Sequence, residues 1–464
     1  GEGTYLIGTG AELAWYINYL SDGSNDRTVN ARLTADIELA GYPFITGARL
    51  YGTFDGAGHK IDNLYINCSA TGGQVIGGLF AGVSGRGTKD GVTQNAMVKN
   101  VTVNGTIDVT LSISDDILTG PTSVGGIVGT MMWVNTNDVI GNPGRSGVVT
   151  NCVSNVDITV NCYADGNGSY GITAGGIAAH SVGEDNSSAI KNVGFNQIAD
   201  CVNYGNIEIN SNGGAAASVD AGGVTGKMGL GTELANVANH GNVNVRVSND
   251  RIRDINAGGI AGLASYSKTS TSGDDTDTPT VLKNMWNTGA VSAVYEGEGT
   301  ADSWYQGMRV GGVAGSLELY ANKSAKSFKS AYNQGAVSAQ WETGAGTPSV
   351  GGVIGWISPK SGEAFEASAL YTTQGVVLGG TRYAPDGSNY IYTFTDSYYQ
   401  AEDDSSFGTK LDPAVLTLTP ETVQEADKTG VKNYYNALKC IPEAALTQTD
   451  RADLVKLERL LGAL

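Results

Sequence analysis

A glycine pair that keeps returning limits what this chain can become more than any other feature. VGGIVG spans Val124–Gly129, and its relatives are IGGLFAG at Ile76–Gly82, AGGIAA at Ala174–Ala179 and AGGVTG at Ala221–Gly226. AGGIAG follows at Ala257–Gly262, VGGVAG at Val310–Gly315 and VGGVIG at Val350–Gly355. The second glycines, from Gly78 through Gly126, Gly176, Gly223, Gly259 and Gly312 to Gly352, stand 48, 50, 47, 36, 53 and 40 residues apart. Such a period with uneven insertions belongs to a repeat array, in which each unit buries its apolar face only against its neighbours. A chain of 464 residues is too long for one compact core, and its composition does not shift before Pro413. The 67 glycines follow no Gly-X-Y period, which excludes collagen and fits short strands with tight turns.

Between the pairs sits a second phrase. It reads VTVNGTI at Val101–Ile107, CVSNVDI at Cys152–Ile158, CVNYGNI at Cys201–Ile207 and VANHGNV at Val237–Val243. MWNTGAV at Met285–Val291, AYNQGAV at Ala331–Val337 and TTQGVV at Thr372–Val377 continue it. Each repeat thus holds two units of roughly twenty residues, room for three short strands and their turns, as in one rung of a parallel β-helix. Stacking then predicts one internal ladder of Ile107, Ile158, Ile207, Val243, Val291 and Val337. It predicts a second of Cys152, Cys201, Val237, Met285 and Ala331, and an asparagine ladder of Asn203, Asn239, Asn287 and Asn333 at a turn. The phrase glycines are expected to supply turn residues with positive φ. A β-propeller also has blades of this length, but the irregular loops and the two-phrase repeat favour the β-helix.

The two ends differ from the middle. Residues 1–66 read as an N-terminal cap: a short helix over Glu12–Leu20 after Thr9-Gly10, then the alternating strand RLTADIEL at Arg32–Leu39. Repeats occupy 67–410. From 411 to 464 the pattern turns helical, with Leu454, Leu457, Leu460, Leu461 and Leu464 at spacings of three and four and Thr449-Asp450 as the expected N-cap.

GTFDGAGHKIDNLYI, ending at Ile66, is followed by IGGLFAG, by VGGIVG-type repeats and by a closing TDSYYQAEDD at Thr395–Asp404. Over roughly residues 5–400 this resembles the GLUG-motif repeats of large bacterial surface proteins. The resemblance implies an all-β, right-handed parallel β-helix, a solenoid, from an extracellular or cell-wall-attached bacterial protein. It also implies that the helical segment is a spacer of the kind that strings surface modules together. The family mixes adhesins, uncharacterised surface proteins and non-catalytic regions of secreted enzymes, so activity stays open. No signal peptide or wall anchor is visible, and export rests on the resemblance.

A formal net charge of −18 makes nucleic acid and anionic membrane surfaces poor partners, and no apolar run is long enough for a transmembrane helix. Cys68, Cys152, Cys162, Cys201 and Cys440 show no CxxC pairing and read as small buried hydrophobes. His59, His180 and His240 form no HExxH or nucleophile pattern, and no helix pattern follows the glycine pairs as a phosphate cradle would require.

Loops in one phase of a repeat array share an edge, and the decorated ones follow the asparagine phrase. They bring Tyr163, Tyr170, Arg251, Arg253, Trp304, Tyr305 and Trp341 forward as ligand-binding candidates, since rings stack on sugar C–H faces and charged groups take the hydroxyls. Glu296, Glu298 and Asp302 are the catalytic candidates, a glycosidase needing two carboxyls. Asp274, Asp275 and Asp277 in GDDTDTP offer oxygens to calcium, the one cofactor considered, though without an EF-hand's spacing. The leading expectation is a monomeric adhesin or glycan-binding β-helix for host or plant glycans and mucin-like glycoproteins. The alternatives are a carbohydrate-active enzyme, glycoside hydrolase or polysaccharide lyase, and the non-catalytic arm of a secreted protease. An enzyme should show carboxyls converging in a groove with at least one raised pKa, and a lyase a basic cleft with calcium. An adhesin should show an aromatic patch with no carboxyl pair.

Overall fold

The computed structural model describes residues 3–40, 44, 47–72, 75–87, 93–113, 122–132, 147–165, 169–182, 196–229, 231–265, 280–297, 307–319, 327–342, 347–359, 364–381, 391–401 and 407–464. Among these the chain is mostly β. Twenty-six strands form one sheet and nine form a second, and the pairing within both is parallel. Each repeat lays its strands beside those of the next. Thr102–Ile113 pairs with Val153–Ala164, which pairs with Ile207–Gly222, which pairs with Val243–Gly258.

This register produces the expected ladders. Ile107, Ile158, Ile207, Val243, Val291 and Val337 are successive partners. All but the last are fully buried, each side chain contributing roughly 1.5–3 kcal/mol by leaving water. Val237, Met285 and Ala331 likewise follow one another, and Cys152 and Cys201 sit buried in the preceding repeats. All five cysteines are free thiols.

The asparagine ladder is internal and complete. Asn203 donates to Asn239 at 2.8 Å, Asn239 to Asn287 at 2.8 Å and Asn287 to Asn333 at 2.9 Å, all four fully buried. Each amide also donates to the carbonyl two residues on, for example Asn203 to Gly205 at 2.7 Å. The turn's backbone acceptors are thereby satisfied without water.

The positive φ expected of the phrase glycines is found at Gly375, with φ of 69°, and is corrected in the middle repeats. Gly205, Gly241, Gly289 and Gly335 are not in the left-handed region. Glycine is required there because a Cβ on Gly241 would strike the Gly205 carbonyl, and one on Gly289 the Gly241 carbonyl. The left-handed turn belongs to another row: Asn100, Asn151, Asp200, Asn236 and Asn284, with φ of 55°, 51°, 54°, 54° and 52°. Asparagine and aspartate tolerate this conformation, and their side chains link repeat to repeat, Asn151 to Asn100 and Asn284 to Asn236 both at 2.8 Å.

Helix α1 (Gly10–Ser21) closes the N-terminal end. A capping box joins Thr9 and Glu12, and Leu13, Tyr16, Ile17 and Leu20 enter the core. Helices α2 (Lys428–Lys439) and α3 (Gln448–Ala463) lie against the side of the large sheet. Outward-facing Tyr332, Tyr371 and Tyr398, successive strand partners, pack with Val431, Tyr434, Leu457 and Leu460. Gln400 ties Tyr371 to Tyr434 with bonds of 2.6 and 2.7 Å. The α3 N-cap is Thr447, boxed with Asp450, rather than Thr449-Asp450.

Candidate functional site

Seven of the predicted site residues, Glu298, Asp302, Trp304, Tyr305, Asp274, Asp275 and Asp277, lie outside the described residues. Of the rest, Tyr163 and Trp341 stand at the ends of corresponding strands, Tyr163 in register with Asn212 and Ser248 and Trp341 with Tyr295 and Val247. Tyr163 points outward and is 53% exposed, with Ser112 and Asn212 as its strand partners in neighbouring polar repeats. Tyr65 and Tyr204 are similarly exposed on the outside of the sheet, Tyr204 stacked on His240 at 4.8 Å. Arg251 is half-buried and Arg253 exposed. Glu296 is ion-paired with Arg246.

Two aromatic expectations need correction. Tyr170 is buried, its hydroxyl bonded to Ser211 and accepting from Asn249 at 2.9 Å, so it belongs to the interior rather than to a surface platform. Burial holds its phenol above the ordinary range. Trp341 packs against the core 4.7 Å from Tyr295, on the inward-facing phase of its strand with Val337 and Ala339.

The chemistry gathers instead at the glycine pairs. From Gly125 onward a Cβ on the first glycine of each pair would collide with a carbonyl three residues on, as Gly222 with Thr225 and Gly258 with Ala261. On Gly176, Gly223, Gly259 and Gly312, the second glycines of four pairs, a Cβ would strike the next repeat's glycine carbonyl and the asparagine ladder, as Gly223 with Gly259 and Asn239. Only glycine allows the chain to fold back so closely. The outward sides of the flanking strands are thereby brought face to face in a seam that runs from repeat to repeat.

Before the pairs, the seam carries Thr173, Asp220, Asn256 and Arg309 as successive partners. After them it carries His180, Lys227, Leu263, Ser316 and Trp356. Asn256 donates to Asp220 at 2.8 Å. Arg309 donates to Asp254 at 3.0 Å and to Asn256 at 3.3 Å, and its guanidinium lies 5.6 Å over the Trp356 ring, joining the two walls.

Burial dominates the protonation of this cluster. It pushes the Asp254 carboxyl up to about 7 against the pull of Arg309, with the charges of Asp220 and Glu318 adding to the rise. Asp220 is raised by burial too, partly offset by Lys227, Asn256 and Arg309. His180 is pushed down to about 3 by burial and by the Lys227 charge, and neither ring nitrogen has a hydrogen-bond partner. The Asp254 carboxyl, beside a fixed guanidinium and an indole, can exchange a proton with a hydroxylated ligand near neutrality.

Sequence reasoning passed over Asp220, Asp254, Arg309, Trp356, His180 and Lys227 as site residues, although it selected Arg253. The usable signal was the position two before each glycine pair. Before the first pair it is Val75, and from the second pair on it reads Ser123, Thr173, Asp220, Asn256, Arg309 and Ser349, polar in each of these repeats and charged only in some. Among the described residues, no group of three His, Cys, Asp or Glu side chains could hold a metal ion, and no helix is long and apolar enough to cross a membrane. Compared with known proteins, the chain matches no family model, no curated protein and no solved structure.

Proposed function

We propose that this chain is a glycan-binding module of an extracellular bacterial surface protein, its parallel sheets coiling as a right-handed β-helix of the GLUG-repeat kind. The carrying observation is Tyr163. Its ring is half-exposed on a wall of stacked serine, threonine and asparagine side chains, with strands about 4.8 Å apart. Such a wall offers hydroxyl and amide partners at regular intervals and a ring for a sugar face. Affinity chromatography on immobilised mucin glycans and plant polysaccharides tests this reading. Retention is expected, and no retention on any matrix rejects it.

A second reading, a carbohydrate-active enzyme, is favoured by one observation: the carboxyls of Asp220 and Asp254 beside Arg309 in the seam. Both carboxyls feel the Arg309 charge, and they are different residues from the pair expected on the loop edge.

A further inference from the structure

We propose that Tyr163 and Tyr204 are the two ends of one binding track along strand Val153–Ala164, and that its ligand is an extended polysaccharide without acidic groups. The inference rests on the glycan-binding reading and gives that reading its second ring and its ligand class.

Exposure singles out few rings. Between α1 and α2, the large apolar side chains left exposed among the described residues are Tyr65, Tyr163 and Tyr204, each just over half exposed. All three stand on the outward phase of the large sheet, between buried neighbours such as Cys162 and Ala164 or Asn203 and Gly205. Stacking demands no ring at these places. The strand partners of Tyr163 are Ser112 and Asn212, that of Tyr65 is Thr106, and Tyr204 stands beside Asn155, one place beyond the Ser154–Asn203 pair.

Register fixes the spacing. From Asn155 to Tyr163 is eight residues along one strand, and Tyr204 is one strand over. At about 3.3 Å per residue and about 4.8 Å per strand, the two rings lie about 27 Å apart, a span that only a chain of several sugars covers. Tyr204 is held for this task. It stacks on His240 with centroids 4.8 Å apart and planes 20° apart, and His240 is anchored through Nδ1 to the Thr288 hydroxyl at 2.7 Å. A centroid distance equal to the strand spacing means that the two rings stand upright and face each other from repeat to repeat. The uncovered face of Tyr204 therefore looks back over Asn155, where the track begins.

The floor between the rings is polar: Asp157, Thr159 and Asn161 on one strand, Asn206, Glu208 and Asn210 on the next. Asn206 donates its amide to Asp157 and Asn210 to Asn161, both at 3.1 Å, so the floor is ordered. It offers hydroxyl, amide and carboxylate partners to sugar hydroxyls. It carries two carboxylates and no lysine or arginine, and Arg246, one strand further beside Asn210, is already paired with Glu296. A chain of uronates laid here would meet repulsion without a compensating cation. Tyr65 lies outside the track. Its partner Thr106 pairs with Asp157, which puts Tyr65 two strands away, about 10 Å to the side.

The test is affinity electrophoresis of the chain through gels holding xylan, mannan, glucan or polygalacturonate, with melting temperature as the control for folding. At least one of the three neutral polymers should retard the chain, and polygalacturonate should not. Tyr163→Ala and Tyr204→Ala should each weaken the interaction about 2- to 10-fold, and the double variant by about the product, because the rings are too far apart to couple. Tyr204→Phe keeps the ring and should keep the retardation. Tyr65→Ala removes an equally exposed ring off the track and should change nothing. Melting temperatures should stay at the native value, since each of these rings is at the surface. Absence of effect from Tyr163→Ala or Tyr204→Ala overturns the proposal, as does a loss in Tyr65→Ala equal to theirs or retardation by polygalacturonate. Any of these leaves a glycan-binding chain with a different site. No retardation in any gel rejects the proposal and the glycan-binding reading together.

Discussion

The two sides of the glycine pairs make an instructive contrast. Inside, the pairs rest on Asn203, Asn239, Asn287 and Asn333, one residue type repeated because each amide must bond the next. Outside, on the same backbone, the residue changes at every repeat, from Thr173 through Asp220 and Asn256 to Arg309. The backbone is held constant on both sides, so the outer variation is not demanded by stacking. Where a repeat protein varies a position that its own fold leaves free and buries charge there, function is the economical explanation.

The sharpest way to break this contrast is to give a glycine a side chain. A Cβ on Gly259 would meet both the Gly312 carbonyl and the Asn287 amide. Gly259→Ala should therefore cost more than about 4 kcal/mol, read as loss of the cooperative thermal transition. Next in size is Asn287→Leu. It removes the acceptor for Asn239 and the donor to Asn333 and to the Gly289 carbonyl. Leaving such groups unbonded in the interior should cost about 3 kcal/mol in chemical denaturation. A drop below about 1 kcal/mol would show that the ladder is replaceable and weaken the distinction between the two sides.

The outer side is tested through pH, where two seam residues pull in opposite directions. Asp254 is raised from 3.8 to about 7 by folding, so the folded state holds its proton more tightly. That contribution is fully present below about 4 and is lost as pH rises to about 7. His180 is lowered from 6.5 to about 3, so acidification through that range destabilises the fold. Melting temperature across pH 3–8 should separate them. Asp254→Asn should leave a stability that rises more steeply with pH, and His180→Asn one that falls. Unchanged profiles in both variants would mean that the seam's protonation is not coupled to folding.

Legibility follows the same division. The ladders of Ile107 and Asn203 could be read in advance because stacking forces one residue type to recur at a fixed place in the phrase. Asp254 and Arg309 could not, because neither recurs, and what joins them is the fold-back at the glycines, which no spacing along the chain reveals. Tyr170 and Trp341 misled for a related reason. Each lies in or beside a polar, loop-like stretch, yet each follows the inward alternation of its strand, Tyr170 to Ser211 and Asn249, Trp341 to Tyr295. The left-handed row at Asn100 and Asn236 was open to reading, an Asn or Asp before each of the first five phrases and Ser330 before the sixth, but the glycines drew the turn assignment instead.

The smallest expected effect separates binding from stability. Tyr163 projects from the wall into solvent, so Tyr163→Ala removes little buried surface and should change stability by no more than about 0.5 kcal/mol. If the ring stacks on a sugar face, its loss should weaken glycan retention about 2- to 10-fold, the equivalent of about 0.5–1.5 kcal/mol. Tyr170→Phe is the matched control, since it strips a buried hydroxyl from Ser211 and Asn249 and should lower stability by about 1–2 kcal/mol while leaving retention intact. Retention that follows Tyr170 rather than Tyr163 would move binding away from the wall and leave the seam as the site to pursue.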